Sequence, residues 1–233
     1  MKVLNIDKTL AEIEVLHEKQ PLQKHPLFSR IVEGKFNKRQ IQEYARQYSI
    51  IPMHNHNYHG PLYVVCPNYK WRAKLAEVVY EEGTGRLYSD GVPHNELYME
   101  FCEDLGIRRD EMMNVKFCAE SIAIGNYYKT ICSRNFLEGC SAHMLAGERQ
   151  GVGWLTTSAN QMKKHYGLTD KGAKFWIVHD KADEDHSSIG VELLSEFAKT
   201  EDDLRMVIET CRVTLAMSKL FYDGVMHAMD AAA

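Results

Sequence analysis

Apolar residues recur at intervals of three and four along almost the whole chain, the period of a helix with one face buried. Residues of about 6–19 form a first helix, with Leu10, Ile13, Val15 and Leu16 among charged neighbours. A short helix follows at about 25–33. Asn37 is placed to cap the next, which runs from about Lys38 towards His54. Pro67-Asn68 opens another, in which Leu75, Val78 and Val79 lie near one face. Gly83, Gly85, Gly91 and Pro93 then break the pattern, so 83–93 reads as an irregular loop. Helices are expected at about 95–105, 116–135, 138–165 and from Asp170 through His179 to about Ala198. The last, from Asp202 to about Met226, carries Leu204, Val207, Ile208, Cys211, Leu215, Ser218, Tyr222 and Val225 at helical spacing. Only Leu62-Tyr63-Val64-Val65-Cys66 suggests a short extended piece. With no repeat and no linker tract, residues 1–233 are read as a single all-α domain, a bundle of seven or eight helices.

Composition narrows the function more than the fold. The 28 basic and 32 acidic residues leave a net charge of −4, which offers no general attraction for nucleic acid or an anionic membrane. No window approaches the length of an apolar span, and Met1-Lys2-Val3-Leu4-Asn5-Ile6-Asp7 lacks the pattern of a secretory leader, so a cytoplasmic protein is expected. The six cysteines form no Cys-x-x-Cys pair and read as reduced, mostly buried thiols. Eleven histidines raise the expectation of a metal site without locating it.

The most informative stretch is His179-Asp180-Lys181-Ala182-Asp183-Glu184-Asp185-His186. On a helix His179, Asp183 and His186 share one stripe. Two imidazoles and a carboxylate suit ferrous iron, manganese or zinc; they are equally able to form a buried cluster bonded to itself. Apolar runs on both sides, Phe175-Trp176-Ile177-Val178 and Ile189 to Leu194, set this helix against the core, where a polar stripe needs a partner. Glu148 stands mid-helix between Gly147 and Gly151, glycines that each cost roughly 1 kcal/mol relative to alanine and so imply close packing or room for a ligand. Glu81 closes the apolar turn Val78-Val79-Tyr80, where on spacing alone Glu82 can take its place, and His94 follows the glycine-broken loop. Tyr44, Tyr48, Tyr58, His59, Arg149 and Trp154 are candidates for shaping a substrate pocket, each with an ordinary packing role as the alternative. The run His54-Asn55-His56-Asn57-Tyr58-His59 contains no carboxylate and makes a poor metal motif by itself.

Taken together, Glu-Glu-Gly, Pro-His, a mid-helix Glu and His-x3-Asp-x2-His resemble the heme-oxygenase-like diiron oxidases and oxygenases. His25-Pro26-Leu27-Phe28, Ile41-Gln42-Glu43-Tyr44-Ala45 and Leu105-Gly106-Ile107 extend the resemblance over most of the chain. It implies a heme-oxygenase-like fold of about seven helices and Glu81, His94, Glu148, His179, Asp183 and His186 as ligands. It also implies two Fe(II)/Fe(III) ions, O2 as co-substrate, an external reductant or reductase, and a homodimer. Three carboxylates nearly neutralise two ferrous ions, +4 against −3, and carboxylates can shift between terminal and bridging modes. The implied activity is oxidation of a small amine or amino-acid-derived molecule: N-oxygenation, nitrile formation or oxidative C–C cleavage in specialised biosynthesis.

The chain also departs from its apparent relatives. The loop before His94 is longer than in several of them. A member that makes 4-aminobenzoate from its own tyrosine has that tyrosine where Phe28 stands here, and a lysine where this chain has Ser158. An external substrate is therefore expected. Two rival readings are a metal-free thiaminase-like hydrolase or cofactorless oxidase, the hydrolase needing Cys132 or Cys140 as nucleophile, and a non-enzymatic helical interaction module with a large exposed apolar face.

Overall fold

The computed structural model describes residues 4–151, 153–182 and 186–233, with backbone alone at 181–182 and 186–188. The described residues contain helices and no strand. No helix among them is long and apolar enough to cross a membrane.

The longest element, α13 (Glu201–Ala231), shows how the sequence produces the bundle. Thr200 and Asp203 form a capping box, and Glu201, Asp202 and Asp203 place negative charge at the positive end of the helix dipole. Leu204, Val207, Cys211, Leu215, Phe221, Tyr222, Val225 and Met229 are buried along one stripe. Around α13 pack α1 (Ile6–Lys19), α2 (Pro26–Val32), α3 (Lys38–Tyr48) and α8 (Ala119–Arg134). The predicted cap at Asn37 is present, its side chain accepting from Gln40 N while Gln40 returns a bond to Asn37 N. A second layer is formed by α4 (His56–Val65), α5 (Tyr69–Thr84), α6 (His94–Asp104), α10 (Leu155–Tyr166) and α11 (Asp170–Ala182), with α11 packed against both α6 and α10. The short α7 (Arg109–Met112) and α9 (Phe136–Cys140), and α12 (His186–Phe197), complete the described α-helices.

Three expectations are corrected. Residues 62–65 are helical, the end of α4. Leu62 is fully buried while Tyr63 and Val64 are exposed, so the buried positions follow a helix face and tertiary packing overrides β-branched propensity. The helix expected to run from Lys38 towards His54 stops at Tyr48, and Pro52–His54 forms a separate 3-10 turn. The helix expected at 138–165 is broken into α9, a π-helical stretch at Ser141–Gly147, a 3-10 turn at Glu148–Gln150, and α10. Gly147 closes the π-helical stretch, and a Cβ there would lie 2.4 Å from the Tyr128 hydroxyl, so a larger residue would have to displace that phenol.

Candidate metal centre

Between the layers lies a cavity of about 350 Å³, walled by α4, α5, α6, α8, α11, α13 and the π-helical stretch. Its surface is mainly aromatic and aliphatic. Into it project Glu82 from α5, His94 from α6 and His179 from α11, each with one donor atom within 4.8 Å of the others'.

Each of the three has its outer atom fixed by the protein. Asn55 donates to Glu82 Oε2 (2.6 Å), leaving Oε1 to face the cluster. His179 Nδ1 lies 2.7 Å from the carbonyl of Phe175, which leaves Nε2 as the lone-pair nitrogen. Ser89 Oγ donates to Glu81 Oε1 (2.5 Å) and accepts from His94 Nε2 (3.0 Å), and His94 Nε2 is also 3.3 Å from Glu81 Oε1. His94 Nδ1 therefore carries the lone pair in the neutral ring. It sits 3.0 Å from Glu82 Oε1 without the alignment of a hydrogen bond and has no hydrogen-bond partner. Two ligand atoms about 2.1 Å from one ion and about 90° apart lie about 3.0 Å from each other, so this spacing fits a shared transition-metal ion.

The electrostatics agree with the geometry. Burial pushes the Glu82 carboxyl up, but contact with His94, helped by the imidazoles of His59 and His179, outweighs it and holds the group at about 2. Burial lowers His94, but Glu82 and then Glu81 raise it above its ordinary value. The carboxylates that favour a proton on His94 favour a metal cation in its place. His179 is lowered by burial and stays neutral, as a ligand must.

Glu81 is not part of this cluster. It is fully buried and turned towards the loop after α5, where its Oε2 accepts from Leu87 N (2.6 Å) and its Oε1 holds Ser89. Gly85, with φ 63°, turns the chain there under the carbonyl of Val92, a space that a Cβ would occupy. Glu81 thus orients His94 from outside, the carboxylate–histidine arrangement common behind metal ligands. The loop predicted from its glycines is what brings His94 back over α5.

Glu148 reaches the cavity from the other side, beside His143 and His59. Asp183 lies outside the described residues, as does the side chain of His186. Tyr58, His59 and Tyr48 line the cavity. Tyr44 is buried in the core, its ring 5.4 Å from Tyr48 and 6.3 Å from Trp176. Trp154 packs on Phe28 at 5.4 Å. Arg149 pairs with Glu14 and does not face the cavity.

Sequence reasoning missed His143. Residues five apart are about 140° apart on an α-helix, so regular winding would put His143 and Glu148 on different faces. The i→i+5 winding of a π-helical stretch brings them together, and its only advance sign was the run of small residues and glycines around it.

Residues 42–219 match the family of iron-containing redox enzymes, and the chain belongs to that family. It is 24% identical over 185 residues to the 4-aminobenzoate synthase of Chlamydia pneumoniae, spanning 79% of this chain and 80% of that one. To the 4-aminobenzoate synthase of Nitrosomonas europaea it is 22% identical over 225 residues, 92% of this chain and 89% of the other. Among solved structures, a domain with a heme-oxygenase-like fold from Shewanella denitrificans superposes with a TM-score of 0.75 at 16% identity, covering 97% of this chain and 94% of that one. The fold is heme-oxygenase-like, as the sequence motifs implied.

Proposed function

We propose that this protein is an iron-dependent, O2-using oxidase or oxygenase with two iron ions, acting on a small external amine or amino-acid-derived molecule with an apolar body. The observation that carries this reading is the Glu82–His94–His179 cluster, whose converging lone pairs face a largely apolar cavity. These three residues would hold one iron. Glu148 reaches the cavity on the side where a second would sit, and the resemblance adds Asp183 and His186 there. Bound iron supplies the one-electron steps that let O2 react with a closed-shell organic molecule.

The chain's own residues do the remaining work. Glu81 and Ser89 keep the His94 proton on Nε2, and the Phe175 carbonyl keeps that of His179 on Nδ1. Phe175, Trp176 and Phe221 exclude bulk water and shape the space for the substrate body. None of the described lining residues is Lys or Arg, while Glu82 and Glu148 are both present. With both carboxylates engaged by iron and no basic side chain in the described lining, a substrate is held mainly through its apolar body, not through a carboxylate anchored on Lys or Arg. Electrons beyond those of the substrate come from an external reductant.

Two observations weigh against the alternatives. Phe28 has no hydroxyl and packs edge-on against Tyr222 at 4.8 Å, so it cannot be consumed as a tyrosine would. Burial pushes the Cys132 thiol up to about 12 and that of Cys140 well above its ordinary value, so neither supplies a thiolate for hydrolysis.

The test is anaerobic Fe(II) loading followed by O2 uptake with a panel of amines and amino acids, with intact mass recorded before and after turnover. The expected result is iron-dependent O2 uptake stimulated by a subset of the panel, at unchanged protein mass. Absence of iron binding would overturn the proposal, and a mass change at a tyrosine would replace the external substrate by the protein itself.

A further inference from the structure

Among the described residues lining the cavity, His59 is the least satisfied polar side chain. It is 95% buried, and neither ring nitrogen has a hydrogen-bond partner. An unpaired buried donor or acceptor costs about 1–3 kcal/mol, and native structures rarely leave one without a water, an ion or a functional reason. The surroundings of His59 indicate which applies. Its ring lies 4.7 Å from that of His143, and donor atoms of His59, His143 and Glu148 fall within 4.8 Å of one another. His143 Nε2 is 3.2 Å from Glu148 Oε1. Tyr58 packs edge-on against both imidazoles, at 4.6 and 4.9 Å, and closes the cluster from one side.

The backbone gives an independent sign. His143 lies within the π-helical stretch Ser141–Gly147 and Glu148 directly follows it. Regular α-helix would place the two about 140° apart, so the irregular winding is what aims them at one point. Such π-helical insertions are rare and concentrate at functional sites.

We infer that His59, His143 and Glu148 bind a first-row divalent transition-metal ion, at a position in the cavity separate from the one formed by Glu82, His94 and His179. Two imidazoles and one carboxylate suit Fe(II), Mn(II), Co(II) or Zn(II) and leave coordination positions open for water or substrate. The inference deepens the proposed function, because it gives the second ion two histidine ligands that the resemblance does not supply. It uses neither Asp183 nor His186.

Cobalt(II) is a suitable probe, because its visible absorption reports ligand type and its content can be counted separately. Metal-free full-length protein is titrated with Co(II) alone, with binding followed by absorption and equilibrium dialysis and folding by circular dichroism. Wild type is compared with His59→Ala/His143→Ala and with His94→Ala/His179→Ala. The expected result is that each double variant loses one ion, with a different part of the cobalt spectrum missing in each. If His59→Ala/His143→Ala binds as many ions as wild type with the same spectrum, the inference is overturned while the proposed function stands. If only that variant loses an ion, the inference stands and the first centre of the proposed function fails. Should the alanine pair unfold, His59→Gln/His143→Gln takes its place: a loss of at least about tenfold in affinity for one ion supports the inference, and unchanged affinity refutes it.

Discussion

At one end of the cavity Glu82, His94 and His179 each have their outer atom held by Asn55, by Ser89 with Glu81, and by the Phe175 carbonyl. At the other end His59 has no hydrogen bond at either nitrogen, and His143 and Glu148 ride on irregular backbone. The first end rests on three regular helices and a loop whose turn is fixed by Gly85. The second depends on a local departure from helical winding. A metal ion would meet a preset lone-pair geometry at the first end and would itself have to complete the geometry at the second. Preorganisation lowers the reorganisation needed on binding, so the two ends should differ in affinity and in response to perturbation.

The most severe way to break this contrast is to remove the prebuilt end. His94→Ala/His179→Ala should weaken iron binding there by more than about 100-fold and abolish O2 uptake, as measured by iron content and an oxygen electrode. Iron retained in full by that variant would mean that the prebuilt end is not a metal site. Next in size is Glu81→Ala, which leaves Leu87 N, Ser89 and His94 without their buried acceptor. It should lower unfolding stability by about 3 kcal/mol in a urea titration and weaken iron binding as well. A change confined to stability, with iron affinity untouched, would sever Glu81 from His94.

A pH titration of the metal-free protein sharpens the contrast from the other side. Burial, with the neighbouring His143 adding to it, lowers His59 from 6.5 to about 4. The unfolded chain therefore binds the extra proton first as pH falls, and stability that is present above 6.5 is lost through this window. Between pH 7 and pH 5 that one group should remove about 2 kcal/mol. The loss is read as the difference in pH dependence between wild type and His59→Gln, since His94 is shifted in the opposite direction and acts equally in both. Equal pH dependence of the two proteins would mean that His59 is not buried as described. The smallest effect is expected at Arg149→Ala. Arg149 adjoins Glu148 in sequence but pairs with Glu14 at a partly exposed position, so stability should change by less than about 1 kcal/mol and iron content should not change.

Much of this architecture was legible in advance because it depends on periodicity. The buried stripe of α13, the cap at Asn37, the start of α5 just after Pro67-Asn68, and the position of His94 after a glycine-broken loop follow from side-chain spacing and turn chemistry. The choice between Glu81 and Glu82 did not. One residue is about 100° of helix, and at a helix end the deciding factor was the demand of Leu87 N and Ser89 for a buried acceptor. His143 was hidden for a related reason: face assignments assume α-helical winding, and the segment that carries it is wound otherwise. His59 was singled out as a pocket residue, but its lack of partners is a property of packing that no spacing reveals.

The six residues of the two ends are dispersed along the chain, the first and the last of them, His59 and His179, being separated by 120 in sequence. No short segment contains a complete set. Even the closest pair at the prebuilt end, Glu82 and His94, must wait for α11 to bring His179. An ion therefore has little to hold in the unfolded ensemble and cannot template the nucleus of folding as zinc does in a small finger. Helix docking across long sequence separations comes first and sets the rate. Iron held by these residues would enter a finished cavity and deepen the native well by mass action, slowing escape from the folded state rather than hastening arrival at it.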